Sequence, residues 1–170
     1  MAEKSLSELP RDLRGQVTKG NEALERDNID YAISLFTQVL VREPQFHEVR
    51  RALRAAQSAK AAGKGGFFKR LMSSAGSSPL VAKGQLALRK DPGEALQIAE
   101  QILNHDPNSA AAHRLVVEAA RAMEMPHTAE MSLEVLHRIY PKDKDIVIQL
   151  ANALAEIGEA QNAERLLAEF

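Results

Sequence analysis

Three arginines that lie close together are the residues best suited to bind an anion. Arg50, Arg51 and Arg54 fall on successive turns of one expected helix. A guanidinium can form two parallel hydrogen bonds to a carboxylate, a geometry that a lysine ammonium does not match. We therefore predict that this helix binds an acidic peptide or an acidic protein.

The charge pattern around these arginines leaves other uses open. Residues 49–90 contain ten basic and no acidic side chains, whereas residues 1–48 carry a net charge of −3 and residues 91–170 a net charge of −8. A basic stretch between two acidic ones can bind an anionic partner, pair within its own chain or pair with a second copy. It can also be a solvated surface with no binding role.

A short basic and aromatic segment lies inside residues 63–78, which are rich in glycine and serine. We predict that it forms a short helix and docks on protein, either in place of a missing helix of this chain or on a neighbouring chain. A segment this short buries too little apolar surface for stable membrane anchoring. Nucleic-acid binding is also disfavoured, because only the two phenylalanines can stack on bases and the chain is not basic overall. The segment comprises Phe67, Phe68, Lys69, Arg70, Leu71 and Met72.

No catalytic, metal-binding or cofactor-binding pattern stands out in the sequence. The histidines are scattered with no pair four residues apart, so surface or packing roles are favoured over metal ligation. The run Gly63-Lys64-Gly65-Gly66 lacks the spacing of a phosphate-binding loop. No Ser-His-Asp or paired-carboxylate arrangement can be recognised either. We therefore predict a protein that is not an enzyme and has no metal and no cofactor. The histidines are His47, His105, His113, His127 and His137.

Composition indicates a helical protein of the cytoplasm. Of the 170 residues, 45% are hydrophobic and only 4% aromatic, and alanine and leucine dominate, which favours helix over strand. The absence of cysteine excludes disulfides and thiolate metal sites and is typical of a reducing compartment. Neither a secretory signal nor a run long enough to span a bilayer is evident.

Apolar periodicity and proline spacing predict a series of helix pairs. Pro107 and Pro141 lie thirty-four residues apart and end similar phrases, and Pro44 ends a third phrase in the same phase. Proline lacks an N–H and restricts the residue before it, so each one separates two helices. The run Asp91-Pro92-Gly93 predicts a shorter turn in one pair. The expected helices span residues 11–26, 29–42, 47–62, 79–89, 92–105, 109–123, 126–139, 143–157 and 159–169.

The phrase that ends at Pro44 places Gly20 and Ala32 at an expected helix crossing, with Phe36 one turn later. Small residues let two helices approach closely, because the side chains at the contact set the distance between the axes. These phrases resemble the tetratricopeptide repeat (TPR). The resemblance implies an all-α solenoid of antiparallel helix hairpins, coiled into a right-handed superhelix, that binds other proteins.

The resemblance also implies which residues face the concave groove. The first helix of each pair lines that groove, and by phase it presents Arg14, Asn21, Arg51, Gln85, Arg114, Glu118, Arg121 and Asn152. Arg50 and Arg54 are added as partner-binding residues from the arginine pattern. Asn21 lies in Lys19-Gly20-Asn21-Glu22-Ala23-Leu24, which resembles the first helix of chaperone-binding TPR domains. Val17 stands where that subfamily has a lysine, so the carboxylate clamp would be incomplete.

The expected domain organisation has four parts. Residues 1–10 form a lead-in, residues 11–62 a first repeat and the first helix of an irregular second repeat, residues 63–78 the insertion, and residues 79–170 three further hairpins with the last one truncated. No polar capping helix ends the array. We therefore expect the amino-terminal part of a longer, bacterial-type TPR protein.

Three functions are compatible with this organisation. The first is a non-catalytic scaffold or adaptor that binds a peptide or helix of another protein in the groove. The second is a self-associating module that pairs through the last hairpin or through residues 67–72. The third is a regulatory region of a larger protein.

Overall fold

The computed structural model describes residues 2–63 and 78–170, and within these ranges it contains helices and no strand. The predicted all-α class is confirmed. The helix ends lie close to the predicted ones, with the largest difference at Leu103, where a helix predicted to reach His105 ends. The predicted helix at residues 67–72 lies outside the described residues. The helices are α1 (Arg11–Glu25), α2 (Ile29–Arg42), α3 (His47–Ala62), α4 (Ser78–Leu88), α5 (Pro92–Leu103), α6 (Ala110–Ala122), α7 (Pro126–Ile139), α8 (Lys144–Glu156) and α9 (Ala160–Glu169).

Local signals explain where several helices begin. The side chains of Asp91, Ser109 and Asp143 accept hydrogen bonds from backbone N–H groups in the first turns of α5, α6 and α8. These groups have no partner within the helix, so a capping oxygen stabilises the helix start. Proline occupies the first position of α5 and α7, where its missing N–H costs nothing.

Three hairpin turns share one backbone conformation. Asp27, Glu124 and Gly158 follow the ends of α1, α6 and α8 and have positive φ angles of 58°, 57° and 87°. In each turn the next residue donates its N–H to a carbonyl five residues earlier, which is the Schellman closure of a helix end. The same turn therefore joins three of the described helix pairs. The three bonds, each 2.8 Å long, join Asn28 to Ala23, Met125 to Ala120 and Glu159 to Leu154.

The turn between α4 and α5 is different. The N–H groups of Lys90 and Asp91 both donate to the carbonyl of Ala87, at 2.9 and 2.7 Å. Helix α4 ends at Leu88 and α5 begins at Pro92, so three residues join them, as in the other three hairpin turns. The turn predicted to be shorter at Asp91-Pro92-Gly93 therefore differs in its hydrogen bonds and not in its length.

The helices enclose separate hydrophobic cores. Residues 2–63, the N-terminal unit, pack α1, α2 and α3 around a core that includes Phe36, Phe46 and Leu53. Residues 78–170, the C-terminal unit, contain one core among α4 to α7 and another among α6 to α9. Each cluster draws its residues from one unit only. Whatever holds the two units together is therefore not a shared apolar core.

The lead-in is ordered and belongs to the N-terminal unit. Residues Leu6–Glu8 form a short 3₁₀ helix, and Leu9 is buried in the core of that unit. The backbone N–H groups of Lys4 and Leu6 donate to the carbonyl of Gln45 and to the carboxylate of Glu48, at 3.1 and 2.6 Å. These bonds hold the segment beside the start of α3.

Among the helices of residues 2–63 and 78–170, none has a stretch that is both long and apolar enough to cross a lipid bilayer.

Gly20 explains how closely α1 and α2 approach. A Cβ atom added there would lie 2.5 Å from Cε1 of Phe36, whose side chain is fully buried. We expect Gly20→Ala to lower the free energy of unfolding, since overpacking costs about 1–3 kcal/mol and the gain in helix propensity returns only about 1 kcal/mol. Chemical denaturation monitored by circular dichroism measures the change.

Gly15→Ala on the same helix is the matched control, because nothing lies within 4 Å of its added Cβ. This variant should gain up to about 1 kcal/mol from helix propensity. Equal effects of the two substitutions would contradict the close contact with Phe36.

Candidate functional site

Helix α3 turns two of the predicted binding arginines towards the C-terminal unit. The Arg50 side chain is only 2% exposed, and its Nε donates to Oε1 of Glu100 at 3.1 Å. Nη2 of Arg54 donates to the same oxygen at 2.8 Å, and Nη1 donates to Oε2 of Glu100. Two guanidinium groups of the N-terminal unit thus share one carboxylate of α5. We call Arg50, Arg54 and Glu100 the arginine cluster.

Two further polar contacts join α3 to the C-terminal unit. Gln57 donates to Oδ1 of Asn104 at 2.8 Å, and Nη2 of Arg51 lies 3.8 Å from Oε2 of Glu130 on α7. A cavity of about 90 Å³ lies beside them, with Leu53 and Leu96 in its wall. The junction between the units therefore combines polar pairs with a partly filled cavity whose wall includes apolar side chains of both units.

The charge state of Glu100 depends on these arginines. Burial alone would raise the pKa of the Glu100 carboxyl, but the charges and hydrogen bonds of Arg54 and Arg50 outweigh it and lower the pKa from 4.5 to about 2. Glu100 is therefore ionised at neutral pH. A buried guanidinium needs such a partner, because an unpaired charge in the interior is very costly.

Two of the three arginines do not have the partner-binding position that the leading prediction gave them. Arg50 and Arg54 pair within the chain, which was one of the alternatives for the basic stretch, and they do not face a surface that a partner could reach. Of the three arginines only Arg51 is largely exposed, at 61% of its side chain. Sequence reasoning missed Glu100. The sequence did give a signal for a buried, paired carboxylate, because Glu100 lies on the apolar face of α5 with Leu96 and Leu103 at helical spacing.

The lead-in supplies the cap that α7 does not make for itself. No side chain of α7 or of its preceding residue caps the helix start. Instead the Glu3 carboxylate accepts hydrogen bonds from the N–H groups of His127 and Thr128, at 2.7 and 2.9 Å, and from the Thr128 hydroxyl at 2.6 Å. That hydroxyl accepts from Nη1 of Arg50 at 3.0 Å, so the cap is bonded to the arginine cluster. A carboxylate at a helix start also interacts favourably with the helix dipole.

Two histidines that the sequence separates meet at this junction. The rings of His47 on α3 and His127 on α7 stack with their centroids 4.2 Å apart and their planes 15° from parallel. Burial, followed by the charge of His127, lowers the pKa of His47. His113 has a packing role, since it is buried and hydrogen-bonded to Ser132 and to the carbonyl of Pro107. Burial lowers the pKa of His113 to about 4.

Helices α6 and α8 form the sides of a groove whose floor comes partly from α7. At one end apolar side chains of all three helices line a cavity of about 100 Å³, and at the other end the surface opens into a space of about 730 Å³. Nη1 of Arg121 donates to Oε1 of Gln149 across the groove at 2.9 Å. We call this surface the α6–α8 groove. Its floor includes Val117, Leu133, Leu136 and Ile146, and its polar rim includes Arg114, Glu118, Arg121, Gln149, Asn152 and Glu156.

Four of the predicted groove residues lie together in this surface. Arg114, Glu118, Arg121 and Asn152 all line the α6–α8 groove. The guanidinium of Arg114 also lies over the ring of Tyr140, 5.8 Å from its centroid. Gln149 was missed, although its position three residues before Asn152 places it on the same face of α8.

The other predicted groove residues lie elsewhere. Arg14 on α1 donates to the carbonyls of Ser7 and Leu9, at 2.6 and 2.7 Å, and so fixes the lead-in. Asn21 on α1 and Gln85 on α4 are exposed and line neither cavity of the α6–α8 groove. The predicted docking residues 67–72 lie outside the described part of the chain.

No model of a known protein family matches the chain, and a search of curated proteins found no match either.

We predict that Glu100→Gln lowers the free energy of unfolding at pH 7 by about 3–5 kcal/mol, because it leaves the buried charge of Arg50 without a carboxylate. Chemical denaturation of the two proteins gives the difference. The matched control is Glu94→Gln on the same helix. Its carboxylate is exposed and lies 3.9 Å from the exposed ammonium of Lys83, so the control should change stability by less than about 1 kcal/mol.

The effect of Glu100→Gln should depend on pH. Since folding lowers the pKa of Glu100 from 4.5 to about 2, its contribution is complete above pH 4.5 and is lost as the pH falls towards 2. The difference between parent and variant should therefore shrink over this range. A difference that stays constant with pH would contradict the ionic role of Glu100.

Proposed function

We propose that the protein is a non-catalytic adaptor that binds a helix or an extended segment of another protein in the α6–α8 groove. The observation that carries the proposal is the open space of about 730 Å³ between α6 and α8, which is lined mainly by charged and amide side chains. The apolar side chains beneath the groove belong to the core and are only 1–3% exposed. Concave surfaces of helical arrays bind extended segments by their shape and by a few polar anchors.

The helix arrangement supports a TPR-like interpretation of the C-terminal unit. The two helices of each successive hairpin are joined by the same turn, with Glu124 and Gly158 thirty-four residues apart. Helices α6 and α8, which flank the groove, are each the first helix of a hairpin. We propose that these hairpins belong to a solenoid in which first helices line the binding surface. The N-terminal unit departs from that scheme, because α3 contacts α5 and α7, which are second helices of their hairpins.

The rim charges define the kind of partner. Arg114 and Arg121 are accompanied by Glu118, Glu124 and Glu156, so the groove carries both signs of charge. With Arg50 and Arg54 paired inside the chain, a strongly acidic partner is no longer the best fit. A polar segment that offers charges of both signs to the rim matches the groove better.

Peptides selected from a random library for binding to the whole chain would test the groove. We expect the double variant Arg121→Glu, Asn152→Arg to bind the selected peptides at least about tenfold more weakly, which is a loss of about 1.4 kcal/mol. The first substitution reverses a charge on the rim, and the second places a large charged side chain in the groove. Fluorescence polarisation measures the affinity. Arg165→Glu on α9 is the control, since Arg165 is exposed and lines neither cavity of the groove.

Selected peptides that bind the groove variant and the parent equally would place the binding surface elsewhere and contradict the proposal.

A second candidate function is self-association through the last hairpin. Leu167 and Phe170 are 51% and 55% exposed, and Ala163 is the buried residue of α9. Contiguous exposed apolar side chains are typical of surfaces that bind protein. This surface would pair with the same surface of a second copy.

For self-association we expect a molar mass that rises with concentration above the 18.7 kDa of one chain, measured by light scattering. Leu167→Glu should return the mass to that of one chain, because it places a charge in the apolar surface. Leu86→Glu on α4, where the leucine is 66% exposed, is the matched control and should leave the mass unchanged. A parent that stays at 18.7 kDa at every concentration would rule this function out.

A further inference from the structure

We propose that Glu3, His47 and His127 form a binding site for a zinc ion at the junction of the two units. One potential ligand atom from each side chain lies within 4.8 Å of the other two. The three residues come from the lead-in, from the start of α3 and from the start of α7. Such a site is independent of the α6–α8 groove.

The set of ligand atoms suits zinc. Two imidazole nitrogens and one carboxylate oxygen are common zinc ligands, with water as the fourth. At Zn–N and Zn–O distances of about 2.0–2.2 Å, tetrahedral ligand atoms lie about 3.3 Å apart. The ligand atoms therefore need to close by about 1.5 Å or less. Because the two imidazole rings stack 15° from parallel, zinc binding also requires one ring to turn about its χ2 torsion so that both nitrogens point at the ion, and that torsion has a broad energy profile.

Two of these side chains have unused capacity to bind a cation. Nδ1 of His47 is buried and has no hydrogen-bond partner. A buried nitrogen without a partner costs free energy, which a metal ion would recover. Glu3 accepts three hydrogen bonds, two at Oε1 and one at Oε2. A carboxylate offers about four acceptor positions, so Oε2 retains one for the metal.

The surroundings hold the carboxylate in place. The hydroxyl and the N–H of Thr128 both bond to Oε1 of Glu3, and the same hydroxyl accepts a hydrogen bond from Arg50. Partners of this kind orient metal ligands and raise the affinity of a site. Arg50 of the arginine cluster would thus help to position the Glu3 carboxylate through the hydroxyl of Thr128.

Zinc at this position would link the N-terminal unit to the C-terminal unit. His47 belongs to one unit and His127 to the other, so a bound ion would add a connection between them that the polar contacts alone do not provide. The site also ties down the lead-in through Glu3.

The test is titration of the whole chain, without a polyhistidine tag, with zinc chloride in competition with a chromophoric chelator at pH 7.5. We expect one equivalent of zinc to bind, and His47→Gln and His127→Gln each to weaken binding at least about tenfold, since even loss of a residue that only orients a ligand costs 10–100-fold. His105→Gln, which changes an exposed histidine between α5 and α6, should bind zinc as the parent does.

Two further measurements guard against variants that simply fail to fold. Glu3→Gln keeps both imidazoles and an oxygen that can still cap α7, and it should also weaken zinc binding while leaving the circular dichroism spectrum unchanged. X-ray absorption of the zinc-loaded parent should show two imidazole ligands. Absence of a one-equivalent site, equal binding by the parent and the three ligand variants, or a zinc shell with fewer than two imidazoles would overturn the proposal.

Discussion

A buried guanidinium must be paired with a carboxylate, and in this chain that requirement sets how the two helical units meet. Arg50 lies in the interior with no shared apolar core around it, and Glu100 is the carboxylate that makes its burial possible. Buried ion pairs seldom stabilise a fold more than apolar packing would, because desolvation offsets the attraction. We interpret the arginine cluster as a device that selects one register of α3 against α5, since a shifted register would leave charges unpaired.

Two helices, α3 and α7, each contact both helical units. Helix α3 buries Val49 and Leu53 in the N-terminal core and turns Arg50 towards the C-terminal unit. Helix α7 contacts the N-terminal unit through its first turns, whereas Leu133 and Leu136 further along it belong to the groove floor. The Glu3 cap and the groove are thus built on one helix. Any partner that binds the groove therefore contacts the helix against which the N-terminal unit is docked.

Much of the fold could be predicted because its signals are local. Proline spacing, apolar periodicity and capping residues such as Asp91 and Asp143 act within a few positions of the sequence. The helices begin and end close to the positions that these signals predict. The groove residues on α6 and α8 followed from the same helical phase. The junction could not be predicted, since Arg50 pairs with a residue fifty positions away and Glu3 with one more than a hundred and twenty away. Such pairings depend on how two completed cores dock, and only the carboxylate of Glu100 on an apolar helix face gave a local sign of them.

The distance between the two units in solution tests most directly whether the arginine cluster holds them together. The chain has no cysteine, so Ser34→Cys on α2 and Arg138→Cys on α7, both at exposed positions, allow specific spin labelling. Double electron–electron resonance should give one narrow distance distribution for the otherwise unchanged chain. Replacing Arg50 and Arg54 by alanine should broaden it while helix content stays the same. A narrow distribution at the same distance in that variant would show that other contacts fix the two units and would contradict the role assigned to the cluster.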